Sequence, residues 1–149
     1  MESYNTLNEV LVHLFNDIMD IEEKAMSTGE FKDISNKDIH VLSAIGIHGA
    51  RNMSSVAKTL SITVGTLTIA INNLLKKGYV DRVRSDRDRR VVLVSLTSKG
   101  EKAYRHHADF HEKMVQAILK DLNQEETEIL TKTLTNLSSF FLNYNKSTD

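Results

Sequence analysis

Cysteine and proline are both missing from the 149 residues, and glycine is limited to six. Without thiols there can be no disulfide, no thiolate metal site and no thiol-based redox sensor. Without proline nothing interrupts long stretches of helical periodicity, so a mainly α chain is expected. No apolar run approaches the roughly 20 residues of a membrane span. The acidic residue that follows Met1 is unlike the start of a signal peptide, so a cytoplasmic location is the expectation. A Gly-rich phosphate loop, a nucleophile elbow and a close carboxylate pair are also missing. Ser54, Ser55 and the histidines fall in different elements with no triad order, so an enzyme is not expected.

What remains is an ordinary globular composition, 40% hydrophobic and 26% charged, of a length that suits one domain or a small domain with a helical extension. The net charge of −1 hides a strong polarity. Residues 51–105 hold 12 Lys and Arg against 4 Asp and Glu, a net of +8, and the rest holds 7 against 16, a net of −9. A basic module sits between acidic arms, and local rather than total charge governs attraction to phosphates.

Leu7, Leu11, Leu14 and Ile18, joined by Val10, Phe15 and Met19, predict an amphipathic helix over 3–27 that Gly29 breaks. Ser35 with Asp38 forms a capping-box start for a second helix reaching His48-Gly49. A short helix follows over about 52–60, with Asn52 or Ser54 as its candidate cap. The next spans 63–77 and stops at Gly78. Val80, Val83, Val91, Val92, Val94 and Leu96 supply two short strands around the tip 85–90. Thr97 caps a long helix bearing Phe110, Met114, Ile118 and Leu122. Asn123 with Glu126 opens a last one striped by Leu130, Leu134, Leu137 and Phe141.

On the helix 63–77, Val64, Leu67, Ala70, Ile71, Leu74 and Leu75 share one side. The opposite side carries Gly65, Thr66, Ile69, Asn72, Asn73 and Lys76. Ile69 has no core to fill there, and contact with a thymine methyl accounts for it, with Thr66 and Asn73 flanking it. Gly65 keeps the helix start free of bulk where a phosphate can approach. Five arginines (Arg82, Arg84, Arg87, Arg89 and Arg90) follow within nine residues, interleaved with Asp81, Asp86 and Asp88. Guanidinium groups suit a narrow minor groove, and Asp88 is placed to hold a neighbouring arginine. Helix then basic hairpin is the layout of a winged helix on double-stranded DNA.

The candidate DNA-contacting set is Thr63, Gly65, Thr66, Ile69, Asn72, Asn73, Lys76, Arg84, Arg87, Asp88, Arg89 and Arg90. The expected fold is mainly α with a small β-hairpin wing, one protomer over 1–149. Residues 33–100 form the winged helix-turn-helix, and 1–30 with 103–145 form a helical dimerisation region. The outer helices have long apolar stripes and no third layer, so a two-fold homodimer is expected. The alternatives are a monomeric bundle with a basic loop, and a dimeric scaffold for an acidic partner.

The string Asp88-Arg89-Arg90, the strand 91–95 and Leu96-Thr97-Ser98-Lys99-Gly100 resemble the Asp-x-Arg tip and Leu-Thr-x-x-Gly of the MarR family. These are dimeric winged-helix repressors, and with the helical arms the resemblance covers nearly the whole chain. It implies that Arg90 enters the minor groove, that Asp88 orients it, and that 63–76 reads the major groove of a pseudo-palindromic operator. Residues 31–46, 55–83 and 105–111 are further similar to a Firmicute branch of the family that represses fatty-acid-synthesis genes. That branch implies long-chain acyl-acyl carrier protein as a corepressor that tightens operator binding, with no bound cofactor.

Two effector readings stand. An acyl chain needs an apolar tunnel, whose candidate residues are Phe15, Met19, Ile39, His40, Leu42, His107, Phe110, His111 and Met114. Methionine gives such a wall adaptability. Alternatively, His107 and His111 at i, i+4 form a two-ligand metal face, completed by His40 and Glu22, which resembles zinc-responsive repressors of the same family. Another small hydrophobic molecule is a third possibility, and hydrogen bonding across a helix junction would explain the histidines without any ligand.

Overall fold

The computed structural model describes residues 1–27 and 29–146. Helix α1 (Glu2–Ser27) leads through a single 3₁₀ turn (Gly29–Phe31) to α2 (Asn36–Ile45). Strand β1 (Arg51–Asn52) and helices α3 (Met53–Leu60) and α4 (Val64–Lys76) follow. Strands β2 (Val80–Arg84) and β3 (Val92–Leu96) then precede α5 (Ser98–Leu119) and α6 (Gln124–Lys146). The chain divides into two compact units, 1–110 and 111–149, with α5 running through the boundary. No single described helix is long and apolar enough to cross a membrane.

The helix starts follow from capping chemistry. Ser35 accepts from the Asp38 amide while Asp38 accepts from the Ser35 amide, a complete capping box. Asn52 caps α3 by accepting from the Ser55 amide at 2.7 Å. Ser54 does not serve, because the helix already begins at Met53, which packs into the core at 8% exposure. Asn123 and Glu126 form a second reciprocal box at the start of α6. Each such cap is worth about 1 kcal/mol. Helix α2 ends three residues before the expected His48-Gly49, because Gly46 at φ 72° takes the chain out of the helix.

The core of the first unit gathers Ile39, Leu42, Val56, Leu67, Ile71 and Leu74 with Tyr79 and Val94, all fully buried. These residues come from α2, α3, α4, the turn before β2 and β3, so the helix-turn-helix and the hairpin share one core. The sheet has the order β1-β3-β2 and is antiparallel throughout, with Arg51 opposite Val94 and Val80 opposite Leu96. The two-residue β1 is a strand that the sequence pattern does not reveal. It pairs with Leu93 and Val94 on the free edge of β3 and so ties the entry to α3 to the middle of the hairpin.

Residues 96–100 lock the hairpin to α5. The Thr97 hydroxyl donates to the Gly78 carbonyl (2.6 Å) and accepts from the Gly100 amide (3.1 Å), while the Thr97 amide donates to the Tyr79 carbonyl (3.0 Å). A Cβ at position 100 would lie 2.0 Å from that same carbonyl oxygen. Only glycine fits.

The second unit contains the end of α5 and all of α6. No described residue of α6 is buried, and Ile129, Leu134, Phe140, Phe141, Leu142 and Tyr144 are exposed on it. In the first unit, α1 likewise exposes Leu7, Val10, Leu14, Phe15 and Met19.

Candidate nucleic-acid interface

Helix α4 is held from behind and left bare in front. Leu67, Ile71 and Leu74 are at 0% exposure, whereas Ile69 is 74% exposed. The face carrying Gly65, Thr66, Ile69, Asn72 and Lys76 is exposed, with Asn73 half-buried beside it. Val64 also reaches the surface, in contrast to its expected place on the core side.

At the start of α4, the Thr63 side chain caps the helix by accepting from the Thr66 amide, and the two hydroxyls lie 2.9 Å apart. A methyl group placed on Gly65 would meet only the Thr63 hydroxyl, at 3.9 Å. The fold itself therefore does not demand glycine there. The open space it leaves at the helix N-terminus is of the kind that admits close backbone approach by a phosphate.

The hairpin tip is ordered by its own hydrogen bonds. The Ser85 amide donates to the Val91 carbonyl (2.8 Å), the Val91 amide to the Asp88 carbonyl (2.9 Å), and the Arg84 guanidinium to the Arg89 carbonyl (2.9 Å). Asp88 is the hub: its Oδ1 accepts from the Arg90 amide (3.0 Å) and from Arg90 Nε (3.1 Å), and its Oδ2 accepts from Nη2 (3.3 Å). These bonds from Arg90 hold the Asp88 carboxyl below the usual aspartate range. Arg90 nonetheless keeps 92% of its side chain in solvent. It is aimed, not consumed. Arg87 and Arg89 are exposed at the same tip.

Between this wing and the helix-turn-helix lies a cleft of about 710 Å³. Asn52, Ser54, Thr68, Arg82, Arg84 and Arg90 line it, together with Val64, Val83 and Val92. Three cations around a groove with hydroxyl and amide donors suit a sugar–phosphate strand. Arg82 is the residue that sequence reasoning left out of the DNA-contacting set. Its side chain crosses from β2 to donate to Asn72 Oδ1 on α4 at 2.7 Å. The pairing register that puts it there depends on the fold.

A separate polar cluster ties α1, α2 and α5 together. Glu22 and His107 are buried at 6% and 7% exposure. Both His40, at 3.2 Å, and His107 present Nε2 to the same Glu22 carboxylate oxygen. A carboxylate only accepts, so both Nε2 atoms carry protons, and the His107 Nδ1 is left to meet the Ser43 hydroxyl at 3.3 Å. Burial pushes the Glu22 carboxyl up, but the bonds from His107 and His40 outweigh it and hold the group below its ordinary value. Of the expected metal-ligand candidates, Glu22, His40 and His107 meet within the first unit. His111 follows His107 by one turn of α5 and belongs to the second unit.

The expected effector lining is spread over different environments. Ile39 and Leu42 lie in the core, Phe15 and Met19 are more than half exposed on α1, and Phe110 is half-buried. Met114 belongs to the second unit. Neither the cleft beside the wing nor a smaller one near Phe31 and Lys102 is lined by them.

Known proteins share this architecture. The sequence pattern of the family described as transcriptional regulator SarA/Rot matches residues 26–107. The HTH-type transcriptional regulator SarZ of Staphylococcus saprophyticus is 35% identical over 101 residues, 67% of this chain and 69% of its own. FabT of Streptococcus pneumoniae, solved in complex with DNA, is 42% identical with a TM-score of 0.85, covering 95% of this chain and 99% of that one. A mutant of Escherichia coli MarR complexed with operator DNA is 26% identical with a TM-score of 0.65, covering 90% of this chain and 96% of that one.

Proposed function

The chain belongs to the MarR family of winged-helix DNA-binding transcriptional regulators, not to any enzyme class, and from that premise we propose that it is a homodimeric repressor of fatty-acid-synthesis genes that takes long-chain acyl-acyl carrier protein as corepressor. The observation that carries the reading is the 42% identity to FabT over almost the entire length of both chains. It joins the similarity already noted in 31–46, 55–83 and 105–111 to the fatty-acid branch of the family.

Homodimer formation is supported by the apolar side chains exposed on α1 and, separately, on α6. A second copy would cover them, making 1–30 and 103–145 the dimerisation region around a DNA-reading 33–100. Two-fold symmetry in turn suits a pseudo-palindromic operator with half-sites about one helical turn apart. In this reading the acyl chain enters from the α1 side, where Phe15 and Met19 are exposed, toward Ile39 and Leu42 in the core.

A second reading is favoured by one specific observation, the convergence of two imidazoles on a single buried carboxylate oxygen. Nitrogen and oxygen donors of this kind suit zinc. Binding would require both Nε2 atoms to lose their protons and would release them to solvent.

The experiment is a gel shift on the chain's own promoter with and without palmitoyl- and oleoyl-acyl carrier protein. The proposal expects the acylated carrier to tighten binding and the free carrier to leave it unchanged. No response to the acylated forms, with a large rise in melting temperature of chelator-treated protein on equimolar Zn²⁺, would replace it with the metal reading.

A further inference from the structure

Arg82 and Asn72 are both exposed on the DNA-facing side, one on the wing strand β2 and the other on helix α4, and they are joined by a 2.7 Å hydrogen bond from Nη1 to Oδ1. The two ends of an asparagine amide have nearly the same shape and opposite chemistry. One accepts and the other donates. Arginine has donors only, so whichever way the amide is drawn, only its oxygen can face Arg82. The NH₂ group is thereby turned away from Arg82 and, on an exposed residue, left to donate elsewhere.

We propose that Arg82 is a positioning residue that fixes the amide of Asn72 as a base-reading donor, giving this chain a preference for a purine at one position of each half-site. This role rests on the DNA-reading function of α4 and adds which chemistry that face reads at one point. In the major groove the NH₂ donor finds the N7 of a purine, and the remaining lone pair on Oδ1 accepts from the N6 amino group of adenine. Adenine is therefore the best match and guanine the next. Thymine offers O4 but no donor alongside it, and cytosine presents a donor where an acceptor is needed. Arg82 also lines the cleft beside the wing, so the hydrogen bond couples the element that clamps the backbone to the element that reads bases.

The test is selection of full-length protein on a pool of duplexes with a randomised site, repeated with Arg82→Ala, Asn72→Asp and Asn72→Ala. Asn72→Asp preserves the bond to Arg82 and replaces the outward NH₂ by an acceptor. A purely structural role would leave its base preferences unchanged. The proposal expects the wild type to select a purine at one position per half-site and Asn72→Asp to shift that position toward cytosine. Arg82→Ala and Asn72→Ala should both relax that position alone, by about tenfold in discrimination. Melting temperatures of all four proteins separate these effects from loss of folding. Identical profiles for the wild type and Asn72→Asp would overturn the proposal. So would a uniform fall in affinity across all sequences in Arg82→Ala, which marks a phosphate contact alone. Because the wild-type selection reports a defined operator either way, that failure would not be confused with failure of DNA reading itself.

Discussion

The carbonyl oxygen of Tyr79 occupies the place that a side chain on Gly100 would need: a Cβ there would lie 2.0 Å from it. That contact sits at the junction of the recognition helix, the wing and α5, and it gives the Leu-Thr-x-x-Gly string a mechanical meaning. Thr97 bonds the turn after α4, and glycine lets α5 close against it.

Gly100→Ala should therefore destabilise the whole first unit by about 2–3 kcal/mol, the usual cost of forcing atoms into a packed site. Urea or thermal unfolding reads this directly. A melting temperature equal to the wild type would show that the helix shifts freely and that the lock does not exist.

Tyr79 is buried and donates to Asp33 Oδ1 at 2.5 Å. That bond, aided by nearby lysines, holds the Asp33 carboxyl below its ordinary value, while burial and the same bond push the Tyr79 hydroxyl up. The depressed Asp33 contributes stability that is present above its unfolded value near 3.8 and lost as pH falls through its lower folded value. The raised Tyr79 contributes stability that is full below about 10 and lost as pH climbs beyond it. Tyr79→Phe should lower stability at neutral pH by about 1 kcal/mol, discounted for the half-exposed carboxylate, and flatten both limbs of the stability-against-pH curve. Curves that stay parallel would remove the pair from the account.

Asp88→Asn should leave the melting temperature unchanged, because the pair it breaks is a surface one. It should weaken operator binding less than Arg90→Ala does, since the arginine persists but loses the Nη2 bond and the charge that help aim it. Fluorescence anisotropy on an operator duplex measures this. If Asp88→Asn bound more tightly than the wild type, repulsion between the carboxylate and DNA would outweigh its orienting role.

Ile69→Ala removes a side chain that is 74% exposed, so folding should be indifferent to it. If Ile69 meets a thymine methyl, discrimination between the operator and the same site with that thymine replaced should fall by about tenfold, the scale of one base contact. Equal discrimination in mutant and wild type would leave Ile69 as an exposed apolar residue without a reading role.

Much of this was legible in the sequence because local chemistry decided it. The capping residues Ser35, Asn52 and Asn123 set helix starts, the 3.6-residue period split α4 into a core face and an open face, and Asp88 two residues before Arg90 is within self-contained reach. What escaped depends on pairing between distant segments. Strand β1 exists only because β3 lies beside residues 51–52, and Arg82 meets Asn72 only because of how β2 leaves α4. The convergence of His40 and His107 on Glu22 was foreseeable as residue types on three helices. That both share one oxygen was not.

The central claim is that α4 and the Asp88–Arg90 wing read operator DNA together. Footprinting titrations of the wild type and Arg90→Ala on the chain's own promoter, at matched salt, test it most directly. The account predicts that the wild type protects two half-sites about one helical turn apart. It predicts that Arg90→Ala loses about tenfold or more in affinity while melting at the same temperature. Normal operator affinity in Arg90→Ala would contradict it.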